Sequence, residues 1–266
     1  LENTQLPRRI HNTSKRANRL NPRIGRNLPD NHPHFEREYR KHSRLPEEIT
    51  HRRKIELEPR NDNQADYIDA LLDETKTVVI AYGPAGTGKS YLAVLHCIQQ
   101  LLDGVIEKII ILRPVITADG STLGALPGNI IDKIGPYIGE VMSILKEFLG
   151  VKTVLRMLEN EVIEILPIAL ARGRSLRRSG IIIEEGQNIE EHVTKLLLTR
   201  IAEGSRMYIN GDINQTDRGF NGLRNLLSRL EQNGGSDHFA VCQFSKQDVE
   251  RHPVVGEVLR IYDEED

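Results

Sequence analysis

Eight consecutive residues carry the strongest chemical signal in this 266-residue chain. Gly83-Pro84-Ala85-Gly86-Thr87-Gly88-Lys89-Ser90 follows the pattern G-x-x-x-x-G-K-[ST]. A short apolar run, TVVIAY (77–82), precedes it, and a stretch of helical spacing, SYLAVLHCIQQLL, follows. Glycines at these places let main-chain N–H groups converge on phosphate oxygens, and a following helix turns its positive dipole end toward them. In that pattern Lys89 is placed to reach β- and γ-phosphates, and the Ser90 hydroxyl to hold Mg²⁺. The spacing predicts a nucleoside-triphosphate site; the bland alternative is a glycine turn with a surface lysine.

A phosphate loop alone does not separate hydrolases from kinases or passive binders. The second candidate site is GIIIEEGQN (180–188), an apolar strand that ends in acid. Carboxylates at such an edge can hold a metal through water and activate an attacking water. Glu184 suits the metal role and Glu185 the base role, and two acids in series favour hydrolysis over transfer to a metabolite. A solvated acidic strand end is the alternative. The third site is Asn210-Gly211-Asp212-Ile213-Asn214-Gln215, where Gln215 is the candidate γ-phosphate sensor. Arginines cluster at Arg172, Arg174, Arg177 and Arg178, with Arg113 and Arg251 each close to a proline. They read as surface arginines, as fingers completing a neighbour's site, or as a path for single-stranded phosphate backbone.

The elements that must carry these residues are visible as runs. Apolar strands are predicted at 77–82, 108–112, 162–166, 180–185, 206–210 and 239–244, and helices around 88–102, 130–148, 190–203, 219–232 and 254–262. Strands alternating with helices predict an α/β fold with a mainly parallel twisted sheet covered on both faces. Runs such as IIIL and GIII, apolar on both sides of the pleat, suit central parallel strands.

Charge divides the chain. Residues 1–60 carry 15 Lys+Arg against 8 Asp+Glu, a net of +7, while the remainder carries 21 against 30, a net of −9. Residues 1–54 hold His11, His32, His34, His42 and His51 and five prolines, with almost no apolar periodicity. They read as a basic arm preceding a domain over 55–266: a solvated tail, a nucleic-acid-binding arm, or an arm packed on a neighbouring subunit. No apolar run approaches the length of a membrane span. Cys97 and Cys242 lack a C-x-x-C partner, which argues for a reducing compartment and against structural zinc. A cytoplasmic setting is expected. With 5% aromatic residues and no Trp, base-stacking platforms are scarce, so nucleic-acid contact would be led by the backbone.

Six stretches taken in order resemble the PhoH-like family of ATPases, whose core is similar to the first motor lobe of superfamily 1 helicases (a RecA-like P-loop core). They are GPAGTGKSYLA (83–93), LRPV with LGALPG (112–128), PIALARGRSL (167–176), IIIEEGQN (181–188), NGDINQTD (210–217) and DVERHPVVGEV (248–258). The resemblance implies ATP and Mg²⁺ as cofactors and adenine contact by Gln64. It implies γ-phosphate and Mg²⁺ roles for Lys89 and Ser90, Glu185 as catalytic acid and Gln215 as sensor. It further implies action on RNA or single-stranded DNA, and a hexameric ring in which a neighbour supplies what one motor lobe lacks. One departure stands out: the family usually reads Asp-Glu-Ala-Gln where this chain reads Glu184-Glu185-Gly186-Gln187. The extra methylene moves the first carboxylate outward by about one C–C bond and bears on turnover more than on binding. A nucleotide-gated binding protein with little turnover, and a small-molecule kinase, are the rival expectations.

Overall fold

Short runs of Val and Ile, as at 78–80, 109–111 and 181–183, account for the centre of the molecule, because β-branched side chains pack well on a pleated surface. The computed structural model describes residues 54–114, 139–215, 221–250 and 254, all inside the unit Arg44–Asp266. The basic arm up to residue 53, the LGALPG stretch and Arg251 lie outside the described residues.

The element order is α1 (Asp62–Leu72), β1 (Val78–Tyr82), α2 (Lys89–Leu102), β2 (Lys108–Arg113), α3 (Gly139–Leu149), α4 (Val151–Glu159), β3 (Ile163–Pro167), β4 (Ser179–Ile183), α5 (Glu191–Leu198), β5 (Arg206–Gly211), α6 (Gly222–Gln232) and β6 (Phe239–Gln243). Short 3₁₀ turns follow β3, β4 and β6 at Ile168–Ala171, Gly186–Asn188 and Lys246–Asp248. The sheet runs β3-β2-β4-β5-β1-β6, and every pairing is parallel.

Alternation along the strands sorts two cores. Val79, Ala81, Ile109, Ile111, Ile182 and Tyr208 face α1, α2, α3 and α4. Their neighbours Val78, Ile80, Ile110, Ile181, Ile183, Met207 and Ile209 face α5 and α6. The expected mainly parallel sheet with helices on both faces is therefore present, as an all-parallel one. It differs from expectation in four details: the fourth strand ends at Ile183 rather than Glu185, the helix expected over 190–203 ends at Leu198, and the sequence pattern predicts neither α1 nor α4. The start of the helix expected over 130–148, and that expected over 254–262 apart from residue 254, lie outside the described residues.

The first helix matters for the site. Asn61 caps it, its side chain accepting from Gln64 N, and the buried stripe is Gln64, Tyr67, Ile68 and Leu71. Its other end is held by Arg206 at the start of β5, which donates to Leu71 O (2.7 Å), Asp73 O (2.9 Å) and Lys76 O (2.8 Å). A cation on the carboxyl end of a helix satisfies carbonyls that lack partners and opposes the dipole. Helix α1 is thus fixed to the sheet independently of the phosphate loop.

Candidate nucleotide site

The carboxyl ends of β1, β4 and β5 lie side by side, which in an open parallel sheet is where ligands bind. The register explains which side chains meet there. Ile183 pairs with Ile209 and Ala81 with Asn210, so Glu184, Asn210 and the residues leaving β1 are neighbours at one edge.

The loop 83–88 leaves β1 with Gly83 at φ 138°, Gly86 at 82° and Gly88 at 84°. Gly83 has no room for a side chain: a Cβ would stand 2.3 Å from Phe244 O. Gly83 N donates to Gly211 O at 3.0 Å, tying the loop's start to the end of β5. Lys89 opens α2 and its ammonium lies within the loop, donating to Gly83 O (2.8 Å), Pro84 O (2.6 Å) and Thr87 Oγ1 (3.1 Å). Burial pushes the Lys89 pKa down, against the carboxylates of Asp212, Glu184, Glu140 and Glu185, which favour its charge.

Ser90 Oγ donates to Glu184 Oε2 at 2.8 Å, and Asn210 Nδ2 donates to Glu184 Oε1 at 3.0 Å. Tyr67 extends the chain by donating to Asn210 Oδ1 at 3.4 Å. Glu184 is buried. Burial raises its pKa, the Glu140 carboxylate adds to this, and the hydrogen bonds from Asn210 and Ser90 oppose it. A buried carboxylate beside a hydroxyl, near an ammonium and further carboxylates, is a hard-oxygen donor set. Among the described residues no group of three His, Cys, Asp or Glu side chains converges on a point. The residues therefore fit Mg²⁺ completed by phosphate and water oxygens, the usual form of such sites, rather than an ion caged by protein alone.

Glu185 leaves the strand in the left-handed conformation, φ 56°, which is costly for a residue with a Cβ. That turn leaves both adjacent acids close enough to act on the Lys89 charge although strand alternation would send them to opposite faces. Its carboxylate is held from two sides: Arg113 Nη2 donates to Oε1 at 3.1 Å and Gln187 Nε2 to Oε2 at 2.7 Å. Gln187, itself buried, accepts from Asp212 N at 3.0 Å, so one amide joins the acidic site to the turn after β5.

The other candidates fall as follows. Gln64 is buried below the loop, with Nε2 donating to Thr87 O (3.2 Å) and Oε1 accepting from Arg60 N (2.9 Å). Gln215 is exposed, its N–H donating to Asp212 O at 3.1 Å. Arg172 is exposed, whereas Arg174 Nη2 donates to Glu164 Oε2 on β3 at 2.6 Å. Lys89, Ser90, Glu184, Glu185 and Arg113 are brought together; Arg174 is engaged elsewhere. The reading by residue type missed Asn210, Gln187, Asp212 and Glu140. Gln187 stands four residues beyond the end of β4, whereas Asn210 lies within β5, one residue before its end.

A strand, glycine loop and helix with a lysine and hydroxyl at the helix start, beside a strand ending in acid, define a P-loop NTPase. Comparison with known proteins names the group: the PhoH-like protein family model matches residues 56–263, and the chain belongs to that family. It is 36% identical over 224 residues to a PhoH-like protein of Bacillus subtilis (strain 168), covering 84% of this chain and 69% of that one. It is 34% identical over 218 residues to a PhoH-like protein of Mycobacterium tuberculosis (strain ATCC 25618 / H37Rv), covering 81% and 60%. With Protein PhoH of Escherichia coli (strain K12) it shares 34% over 208 residues, covering 76% and 57%. The aligned part is thus well under the full length of these relatives. Among solved structures, Pif1 helicase from Candida albicans aligns over 77% of this chain and 44% of that one, at 15% identity and a TM-score of 0.33. Family membership implies nucleotide binding. No described helix is long and apolar enough to cross a membrane.

Proposed function

We propose that the chain is an Mg²⁺-dependent ATPase whose hydrolysis is coupled to binding or remodelling of RNA or single-stranded DNA. The observation that carries the hydrolytic part is Glu185, turned out of the strand end at φ 56° and held by Arg113 at 3.1 Å and Gln187 at 2.7 Å, next to the buried Glu184 and with the Lys89 ammonium in the loop. In this reading Ser90 and Glu184 hold the cation, which supplies charge neutralisation at the β- and γ-phosphates. Lys89 exchanges its carbonyl partners for phosphate oxygens. Glu185, oriented by Arg113 and Gln187, accepts a proton from the attacking water. Gln215 and Asn210 stand at the end of β5, where a γ-phosphate would report to the turn. Gln64 as an adenine contact belongs to the same reading, as does assembly into a hexameric ring with an arginine such as Arg172 or Arg251 acting on a neighbour.

The nucleic-acid part is supported by the net +7 of residues 1–60 and the resemblance above. The decisive test measures ATPase rate with and without single-stranded RNA, beside Lys89→Ala. Stimulation by RNA that is absent from Lys89→Ala supports coupling; an RNA-independent rate removes it. A second reading, a nucleotide-gated binding protein with little turnover, is favoured by Glu184, whose longer side chain already contacts Ser90. Tight ATP binding with negligible turnover in every condition would select that reading.

A further inference from the structure

Two peptide planes of the phosphate loop are set by donors outside it. Glu250 N donates to Gly86 O at 2.9 Å, and Gln64 Nε2 donates to Thr87 O at 3.2 Å. A trans peptide is planar, with C=O and the following N–H pointing in opposite directions. Drawing Gly86 O outward therefore turns Thr87 N–H inward, and drawing Thr87 O outward turns Gly88 N–H inward. Gly86 and Gly88, both at positive φ, have the freedom to take either orientation, so something must select one.

The two outside donors belong to segments distant in sequence, and one bond joins those segments. Asp248 is buried, and its Oδ2 accepts from Asn63 Nδ2 (2.8 Å), Ser245 N (2.7 Å) and Ser245 Oγ (2.8 Å). Asn63 is the neighbour of Gln64 on α1, and Asp248 precedes Glu250 by two residues. The contacts close a ring: Asn63 and Gln64, Thr87 and Gly86, then Glu250 and Asp248. Phe244 seals the same side, with its carbonyl against Gly83 and its ring 5.8 Å edge-on from that of Tyr67. Arg206 ties the far end of α1 to β5, so the ring closes on a helix that is also bonded to the sheet.

We infer that Asn63 and Asp248 are positioning residues for nucleotide binding: their bond clamps α1 to the segment after β6 and so holds the loop's N–H groups turned toward phosphate. The inference rests on the nucleotide-binding reading and adds residues that touch neither phosphate nor metal.

The test uses the full chain with Asn63→Ala, Asp248→Ala, Asp248→Asn and Ser245→Ala. The two alanine variants at the clamp remove its bond, whereas Asp248→Asn keeps an oxygen that accepts from Asn63 Nδ2 and from Ser245. Ser245→Ala removes a different donor to the same Asp248 oxygen and leaves the link to α1 in place. Asn63→Ala and Asp248→Ala are each expected to weaken binding of a fluorescent ATP analogue by about tenfold or more, the scale of one lost charge-assisted hydrogen bond. KM should rise with kcat little changed, and Asp248→Asn should retain most of the affinity. Amide hydrogen exchange over residues 83–90 without nucleotide should speed up in Asn63→Ala and Asp248→Ala and stay close to the wild type in Asp248→Asn and Ser245→Ala. Asn63→Ala and Asp248→Ala variants that bind and exchange like the wild type would overturn the clamp, as would a Ser245→Ala variant that loses as much as Asn63→Ala. A wild type that binds no analogue, with exchange still faster in Asn63→Ala, would defeat the nucleotide reading and leave the clamp standing.

Discussion

Ser90 and Glu184 meet side chain to side chain, hydroxyl to carboxylate at 2.8 Å, and Asn210 grips the other carboxylate oxygen at 3.0 Å. Both oxygens of this buried acid are therefore engaged by the protein. An aspartate here, the residue the family resemblance leads one to expect, would draw the carboxylate back by about 1.5 Å. The direct contact would open to a water-filled one, a form better suited to a cation that keeps several waters. Glu184→Asp is expected to raise turnover severalfold, about 1 kcal/mol off the barrier, and Glu184→Ala to raise the Mg²⁺ concentration needed for half the maximal rate by about tenfold or more. Steady-state rates across an Mg²⁺ titration check both. An unaltered rate in Glu184→Asp would show that the extra methylene is irrelevant.

Glu185 and Gln187 make a separable pair of predictions. Replacing Glu185 by Gln keeps its shape and removes its basicity, so kcat should fall by about 10²–10⁴-fold with nucleotide affinity nearly unchanged. Gln187→Ala leaves Glu185 in place but removes the amide that bonds it and Asp212 N. Leaving buried polar groups unpaired costs about 1–3 kcal/mol, so a lower melting temperature and about tenfold lower kcat are expected. If Gln187→Ala lowered the melting temperature alone, its role would be packing and not orientation of Glu185.

How much of this was legible in the residues differs from place to place. Strands β1, β2, β4 and β5 were readable because their apolar runs are buried on both faces, and all six strands lie within a residue or two of where they were expected. Helix α1 was hidden because its buried stripe includes Gln64 and Tyr67, so apolar periodicity is faint. Helix α4 was hidden because only Thr153, Val154 and Met157 are buried among charged neighbours. Ser90, Lys89 and the two acids were readable from local spacing. Asn210 was not singled out, because its contact with Glu184 depends on the β4–β5 register, which no local pattern encodes. The left-handed turn at Glu185 was likewise invisible: Glu has no preference for it, and Arg113 and Gln187 hold it in place.

Gly83 and Gly104 offer a comparison of two glycines at positive φ. A Cβ at Gly83 would lie 2.3 Å from Phe244 O and 2.8 Å from its carbonyl carbon, whereas one at Gly104 meets nothing within 4 Å. Gly104→Ala should therefore cost only left-handed backbone strain, about 1 kcal/mol. Gly83→Ala must also push the loop away from the segment after β6, so it should lower the melting temperature more and weaken nucleotide binding. Thermal melts with and without ATP check this. Equal losses in the two variants would mean that the close approach at Gly83 is unimportant.

His96 gives the chain a built-in acid sensitivity. Arg206 Nη1 lies 3.3 Å from His96 Nε2, and because a guanidinium only donates, that nitrogen must accept and the ring must be neutral. Burial first, and the Arg206 charge second, hold the His96 pKa down at about 3, from an ordinary value of 6.5. Between those values the unfolded chain takes up a proton that the folded one refuses. The stability from this site is therefore complete above 6.5 and is lost as pH falls toward 3, with a slope of up to about 1.4 kcal/mol per pH unit. His96→Gln retains an acceptor for Arg206 but has no such titration, while losing the edge-on ring contact with Tyr208 at 5.6 Å. The variant should be less stable than the wild type at about pH 7.5, and the gap should narrow or reverse at about pH 5. Denaturant melts at the two pH values decide it: a gap that stays constant would mean that His96 does not titrate on unfolding as this geometry requires.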